Sequence, residues 1–143
     1  MLFKDEMLRC YLIGGSQDTH HDPAEFLTKV EAAMQAGITA FQYREKGTST
    51  LSKAETLALG QQVRKLATKY DVPLFVDDDL ELAAAIQADG IHVGQKDQRI
   101  EEVLAAVGDQ LMVGYSCNTA AQVAHANQLA VDYIGTGPVF PTI

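Results

Sequence analysis

The chain has 143 residues, of which 47% are hydrophobic and 21% charged, a balance typical of a single globular domain. Nineteen acidic against eleven basic residues give a formal net charge of −8, which argues against nucleic acid or an anionic membrane as partner. No apolar run approaches the roughly 20 residues of a membrane span, and Cys10 and Cys117 form no metal-binding spacing. Since the N-terminal residues lack a signal-peptide pattern, we expect a reduced, cytoplasmic setting.

Short apolar runs alternate with amphipathic segments along the whole chain. The runs predict six strands, over residues 8–13, 38–43, 73–76, 90–93, 111–115 and 131–135. The segments between them predict five helices, which begin near residues 23, 53, 80, 100 and 120; the third reaches residue 88 and the last about residue 130. Alternating strands and helices predict a parallel sheet with right-handed crossovers.

Helix starts carry recognisable capping residues. Asp22 precedes a proline at the first helical position of the first helix. Ser52 with Glu55, and Thr119 with Gln122, have the spacing of capping boxes. Because a closed (β/α) barrel needs eight strands and at least about 200 residues, six strands predict either an open-sheet domain or three quarters of a barrel.

Polar residues follow five consecutive predicted strands. They are Gln42, Arg44, Glu45 and Lys46 after the second strand, Asp77, Asp78 and Asp79 after the third, Gln95, Lys96 and Asp97 after the fourth, Ser116 and Asn118 after the fifth, and Thr136 and Thr142 after the sixth. Ligands of parallel sheets bind at the carboxyl ends of the strands. A ring of contributing strands is typical of a barrel mouth, whereas an open sheet concentrates them at one switch point.

Acidic residues at two neighbouring strand ends suggest a cation site. Adjacent strands lie about 4.7–4.9 Å apart, so Asp78 and Asp97 can point at one ion. Two carboxylates with waters and ligand phosphates are a usual arrangement around Mg²⁺. The alternative is that the acids cap the helix beginning near Leu80, and for Asp79 we favour that interpretation.

Two basic residues follow the second strand. On an extended backbone Arg44 and Lys46 point to the same side, where they could hold a diphosphate. The alternative is a solvated loop in which they pair with Glu45. We interpret His92 as a core histidine, and Cys117, with no obvious base beside it, as no nucleophile.

Five linked motifs resemble the thiamine-phosphate synthase family, also called thiamine-phosphate pyrophosphorylase. They are residues 42–46 (QYREK), 75–78 (FVDD), 88–97 (ADGIHVGQKD), 114–116 (GYS) and 132–142 (DYIGTGPVFPT). Each motif is modest alone, but their order and spacing are highly specific. The resemblance runs from about Tyr11 to the last residue and implies one (β/α)8 TIM barrel domain of which this chain, residues 1–143, holds about six strands and five helices.

The resemblance also implies a reaction and its residues. Members join 4-amino-2-methyl-5-hydroxymethylpyrimidine diphosphate to a thiazole phosphate with Mg²⁺ and release pyrophosphate, by a dissociative displacement that needs no protein nucleophile. It assigns substrate binding to Gln42, Tyr43, Arg44, Glu45, Lys46, Asp77, Ser116 and Thr142, a direct part in the reaction to Arg44, Lys46 and Ser116, and Mg²⁺ binding to Asp78 and Asp97. It further implies a possible homodimer.

The sequence departs from the family pattern at two places. Asp77 stands where the family usually has Asn, which adds a negative charge beside the diphosphate. The family's Pro-Thr-x-Thr-Lys run is cut after Thr142 and Ile143, so we expect the chain to be truncated after its sixth strand.

Other functions remain as alternatives. One is the related thiazole tautomerase, although Cys117 occupies the position where we expect that enzyme's His. Another is an open-sheet Mg²⁺-binding domain, although the first strand ends in Gly14 and Gly15 rather than in acids. The third is a non-catalytic protein that binds only the pyrimidine diphosphate.

Overall fold

The computed structural model describes residues 1–96 and 99–141. Within them the chain forms six strands and five α-helices in strict alternation. The strands are β1 (Tyr11–Gly14), β2 (Ala40–Tyr43), β3 (Leu74–Asp77), β4 (Gly90–Val93), β5 (Met112–Cys117) and β6 (Tyr133–Thr136). The helices are α1 (Pro23–Gln35), α2 (Lys53–Tyr70), α3 (Leu80–Ala85), α4 (Ile100–Val107) and α5 (Ala120–Ala126), and short 3-10 turns cover Asp5–Leu8 and Ser16–Asp18.

The capping residues act largely as the sequence predicts. The carboxylate of Asp22 accepts hydrogen bonds from the first amides of α1, and Ser52 and Glu55 form a reciprocal capping box on α2. The Asp79 carboxylate accepts from the amide of Leu82, which confirms its interpretation as the cap of α3. On α5 only half of the predicted box forms, because the Gln122 side chain accepts from the amide before Thr119.

Three element boundaries differ from the prediction by about three residues or more, whereas the other strand ends differ by two at most. The first strand begins at Tyr11 rather than residue 8, because residues 5–8 form a 3-10 turn that buries Met7 beneath the sheet. The third helix ends at Ala85, and Gln87 then takes a left-handed backbone with φ of 54°. The fifth helix ends at Ala126 and gives way to turns with i to i+3 hydrogen bonds.

The sheet is parallel throughout and its strands follow one another in sequence order, β1-β2-β3-β4-β5-β6. Side chains alternate between its two faces. The outer face packs under the helices and carries the larger core, with Phe41, Leu74, Ile91 and Val113 fully or almost fully buried. The inner face carries a smaller cluster around Ala40, Phe75 and Met112, against which Tyr11 and Tyr133 pack.

This arrangement is the sequential parallel order that a (β/α) barrel requires, and it confirms the predicted α/β class. It also brings the carboxyl ends of all six strands to one edge of the sheet. None of the helices in the described ranges is both long and apolar enough to cross a membrane.

Candidate active site

The ends of β2 and β3 bring opposite charges together. Alternation places Gln42 and Asp77 on the inner face, and the register sets Tyr43 beside Val76, so that Arg44 continues next to Asp77. The amide of Arg44 donates to Gly14 O, which extends the ladder between β1 and β2. The strand ends therefore present cations and carboxylates to the same space.

Four of these residues form a cluster of ion pairs, here called the charged cluster: Arg44, Lys46, Asp77 and Asp78. Lys46 Nζ lies 2.9 Å from Asp77 Oδ2 and 3.4 Å from Asp78 Oδ2, and Arg44 Nε lies 3.6 Å from Asp77 Oδ2. The Asp77 side chain is 9% exposed, whereas that of Arg44 is 49% exposed. A nearly buried carboxylate thus faces two cations that solvent, and an incoming anion, can reach.

Glu45 does not pair with these cations, contrary to the alternative that the sequence left open. Its carboxylate accepts from the amide of Ser16 at 2.6 Å, from the Ser16 hydroxyl at 2.9 Å and from the Ser49 hydroxyl. In the same contact Gln17 Nε2 donates to Arg44 O at 2.6 Å. Glu45 therefore fastens the loop after β1 to the loop after β2 and holds the segment that carries Arg44 and Lys46.

The close approach of these two loops requires a glycine. A Cβ atom on Gly15 would overlap the carbonyl oxygen of Arg44. The sequence shows the glycine pair at the end of the first strand, but only the structure shows that its reason is the loop after the second strand.

The backbone at Asp78 has a left-handed conformation, with φ of 65°. Its amide donates to His92 O at 2.8 Å, and the next amide, of Asp79, returns to Asp77 O. A left-handed residue other than glycine costs roughly 1–2 kcal/mol and is concentrated at functional sites. Here the turn separates two roles, since Asp77 and Asp78 face the cations while Asp79 caps α3.

A cavity of about 470 Å³ opens on the inner face of the sheet. Among its lining residues are Tyr11, Gln42, His92, Ser116 and Tyr133. A larger groove of about 600 Å³ lies between α2 and α3, but half of its lining residues are aliphatic, and the charged Lys53, Asp79 and Glu81 are exposed. The polar groups that converge on one space lie in the inner cavity, where Gln42 is buried and the others are half-buried, so we place the candidate site there.

The polar side chains of this cavity bond to one another across five strands. Ser116 Oγ lies 2.7 Å from His92 Nε2, and His92 Nδ1 lies 3.0 Å from the Tyr133 hydroxyl. That hydroxyl lies 2.6 Å from the hydroxyl of Tyr11, which accepts from Gln42 Nε2 at 2.9 Å. Burial raises the pKa of Tyr11 to about 12 and raises the pKa of Tyr133 as well, so both remain phenols at neutral pH.

The comparisons with known proteins agree with one another. A family model described as thiamine monophosphate synthase matches residues 10–143. The chain belongs to this family.

Individual relatives support the assignment over the whole sequence. A thiamine-phosphate synthase of Limosilactobacillus fermentum is 94% identical over 143 residues, which is all of this chain and 67% of the relative. One of Limosilactobacillus reuteri is 59% identical, covering 99% of this chain and 66% of the relative. The chain therefore spans about two thirds of the length of the curated relatives it matches.

A solved structure agrees at the level of the fold. The thiamine phosphate pyrophosphorylase of Pyrococcus furiosus superposes with a TM-score of 0.82 and 32% sequence identity. The match covers 96% of this chain and 63% of that structure. The family resemblance of the motifs is thereby confirmed.

The structure brings together most, but not all, of the residues that the sequence predicted for the site. Gln42 and Ser116 line the inner cavity, and the charged cluster lies at the ends of β2 and β3, at the same edge of the sheet. Tyr43 does not, because alternation along β2 puts it on the outer face, where its hydroxyl donates to Thr56 O. Asp97 and Thr142 lie outside the described residues.

His92 is a cavity residue that the sequence analysis did not identify as part of the site. The sequence predicts a core histidine, but His92 lies in the cavity wall, hydrogen-bonded through both ring nitrogens. The signal was available: with period two, His92 falls on the same face of the sheet as Gln42, Asp77 and Ser116. Cys117 falls on the opposite face, buried, where the apolar surroundings raise the pKa of its thiol.

The residues present suit a magnesium ion bound together with a diphosphate. In the described ranges no group of three or more His, Cys, Asp or Glu side chains converges, so no complete protein cage exists there. Mg²⁺ does not require one, since it commonly uses one or two carboxylates and takes further oxygens from phosphates and water. Asp78, 31% exposed at a strand end beside cations, can supply such a carboxylate.

Proposed function

We propose that the protein is a Mg²⁺-dependent thiamine-phosphate synthase. It couples 4-amino-2-methyl-5-hydroxymethylpyrimidine diphosphate with thiazole phosphate to give thiamine phosphate and pyrophosphate. The observation that carries this proposal is the charged cluster, in which two solvent-accessible cations and two carboxylates share one strand-end edge. Because the chain belongs to the thiamine monophosphate synthase family, we interpret the charged cluster as a binding site for a substrate of thiamine synthesis.

The first step of the reaction breaks the bond between the pyrimidine methylene and the diphosphate oxygen. The electron pair leaves with the diphosphate, and the aminopyrimidine carries the positive charge left on the methylene. Arg44 offers a planar fork and Lys46 a point charge for the oxygens of the leaving group. Charge that develops on a leaving group is stabilised most by groups already held in place, and Glu45 holds this segment by its bonds to Ser16 and Ser49.

The second step forms the carbon–nitrogen bond between that methylene and the thiazole nitrogen. No protein nucleophile is needed, and none is offered by Cys117, which faces the helices. Gln42 and Ser116 line the inner cavity, where they can hold the polar edge of the pyrimidine. We assign Thr142 to the thiazole phosphate by family resemblance.

Asp78 and Asp97 are the residues we propose for Mg²⁺. When bound, the ion neutralises charge on the diphosphate. Asp77 has a different role, because its carboxylate already forms ion pairs with Lys46 and Arg44. A diphosphate must therefore share or replace these ion pairs, and Asp77 weakens its binding relative to an uncharged amide.

The alternatives gain less support. A signalling domain with acids after its first strand does not fit, because β1 ends in a loop clamped by Glu45. The curated relatives described above carry the synthase name rather than that of a tautomerase. The coupling assay below distinguishes a synthase from a protein that only binds the pyrimidine diphosphate.

The test is a coupling assay on a chimera that joins residues 1–143 to the remaining third of the Limosilactobacillus fermentum relative. We expect thiamine phosphate to form from the two substrates, and to depend on added Mg²⁺. A matched chimera carrying Arg44→Ala and Lys46→Ala should fold but lose most of this rate. A folded chimera that binds the pyrimidine diphosphate yet forms no product would support the binding protein and contradict the synthase.

A further inference from the structure

The inner cavity contains one unbroken line of hydrogen bonds, here called the polar chain. It runs from Gln42 on β2 through Tyr11 on β1, Tyr133 on β6 and His92 on β4 to Ser116 on β5. Its two ends are residues assigned to substrate by family resemblance, and the three members between them have no such assignment.

The donors and acceptors of the polar chain determine its direction. Gln42 Nε2 can donate hydrogen bonds but cannot accept them, so the hydroxyl oxygen of Tyr11 accepts the hydrogen bond between them. Within residues 1–96 and 99–141, the Tyr11 hydroxyl has one other hydrogen-bonding neighbour, the hydroxyl of Tyr133, to which its single hydrogen is therefore donated. The Tyr133 hydroxyl then has its own hydrogen left to donate to His92 Nδ1.

The consequence reaches the far end of the polar chain. A neutral imidazole whose Nδ1 accepts a hydrogen bond carries its proton on Nε2. His92 therefore donates from Nε2 to Ser116 Oγ, and the Ser116 hydrogen is not used in that bond. It can turn into the cavity, toward whatever ligand lies there.

The surroundings hold the polar chain in one geometry. Tyr133 packs against Phe3 and Phe75 with ring centroids 5.7 and 5.6 Å apart, and these contacts hold its ring in place. A Cβ atom on Gly114 would overlap the Tyr133 ring and crowd His92 Nδ1. The glycine of β5 thus makes the room in which the two rings meet.

We propose that Tyr11, Tyr133 and His92 are positioning residues that hold Ser116 as a hydrogen-bond donor toward the cavity. The proposal rests on the proposed function in one respect, that the ligand there is the pyrimidine ring. A donor at this place selects a ligand atom with a lone pair, and a ring nitrogen of a pyrimidine is such an atom. The same hydroxyl turned the other way would offer only lone pairs and would favour an amino group.

The test is the tautomer of His92, which ¹⁵N NMR of the histidine-labelled chain reads without any assay of activity. His92→Gln identifies the resonances among the four histidines. In the wild type at pH 8 we expect the His92 proton on Nε2.

Gln42→Glu should reverse the direction of every hydrogen bond in the polar chain, because a carboxylate can only accept. The hydroxyl of each tyrosine should then donate toward residue 42, and the His92 proton should move to Nδ1.

A matched control is available in Gln35, whose Nε2 also donates to a tyrosine hydroxyl, that of Tyr70, on the surface. Gln35→Glu should leave the His92 tautomer unchanged. Wild-type protein with the proton on Nδ1, or Gln42→Glu with no change of tautomer, would overturn the direction we assign.

The identity of the ligand has its own readout. Titration with 4-amino-5-hydroxymethyl-2-methylpyrimidine, which lacks the diphosphate, should shift the His92 Nε2 resonance in the wild type and not in Ser116→Ala. An expected tautomer without such a shift would overturn the pyrimidine as the ligand of Ser116 and count against the proposed function, while the direction of the polar chain would stand.

Discussion

Asp77 is a position at which the family resemblance leads us to expect an uncharged amide, and the structure shows what the Asp77 carboxylate contacts. Its carboxylate lies 2.9 Å from Lys46 Nζ and 3.6 Å from Arg44 Nε, so the cations proposed for the diphosphate already have a counter-ion. A bound diphosphate competes with this carboxylate or shares its cations. The balance between the two anions sets the affinity of the site.

Asp77→Asn should therefore tighten the binding of pyrophosphate in the presence of Mg²⁺. Removing one carboxylate from a partly screened pair changes the free energy by about 1 kcal/mol, which corresponds to roughly fivefold in the dissociation constant. Isothermal titration calorimetry measures it. Asp79→Asn is the control, because it removes the same charge two residues away and Asn still caps α3. Distinctly weaker binding by Asp77→Asn would show that the carboxylate itself binds the ligand.

At the scale of the elements, β5 depends on the absence of a side chain at one position. Gly114 lies opposite His92 in the register, and the Tyr133 ring passes over it. Gly135, on the inner face of β6, is also near His92, but a Cβ atom there would lie 3.6 Å from the imidazole, an ordinary contact. The two glycines thus differ in whether a methyl group fits.

Gly114→Ala should lower the free energy of unfolding by about 1–3 kcal/mol, because an added methyl group must displace packed rings. Gly135→Ala should change it by less than about 0.5 kcal/mol, as an uncrowded substitution does. Urea denaturation of the two variants measures the difference. Equal midpoints would contradict the packing described for Tyr133.

The elements also show how far the sequence could predict the structure. The alternation of strands and helices, the helix starts and the Asp79 cap follow from local signals of period and capping, so they were predictable. These signals left the strand order open between an open sheet and a barrel, and the family resemblance implied the sequential order that the structure has. The 3-10 turn at Asp5–Leu8 was not, because it exists to bury Met7 against residues distant in the chain. The same holds for the polar chain, since no local pattern reveals that Tyr11 and Tyr133, 122 residues apart, share a hydrogen bond.

In the candidate site, the positions of the residues were predictable from the sequence, but their partners were not. Strand-end position predicted that Arg44, Lys46, Asp77 and Asp78 lie at the same edge of the sheet, and there the structure joins them in ion pairs. Which partner each would choose was not predictable. Glu45 turned to Ser16 because the loop after β1 reaches it, and loop contacts of this kind depend on tertiary structure.

At the scale of the whole molecule, the described sheet has two open edges. Among the described strands β1 pairs only with β2, and β6 only with β5. Leu12 and Ile13 on β1 are 38% and 51% exposed. Unpaired backbone groups beside exposed apolar side chains promote association between chains.

A polypeptide of residues 1–143 should therefore self-associate with rising concentration. Leu12→Lys, which places a charge on the β1 edge, should shift it toward the monomer, whereas Leu8→Lys, an exposed position outside the strand, should not. Sedimentation velocity measures the proportion of monomer in the wild type and in both variants. A wild-type polypeptide that stays monomeric at 100 µM, a concentration on the order of those at which exposed edges associate, would contradict this account.

In the proposed mechanism, coupling depends on Mg²⁺ bound by the strand-end acids Asp78 and Asp97. The most direct test is the Mg²⁺-dependent rate of thiamine phosphate formation by the chimera with Asp78→Ala and, separately, Asp97→Ala. We expect each to lower the rate by about 10²-fold or more, as the loss of a group that stabilises developing charge does. The capping variant Asp79→Asn should keep the wild-type rate. Undiminished rates in both alanine variants would contradict the assignment of the metal site and, with it, the mechanism proposed for the charged cluster.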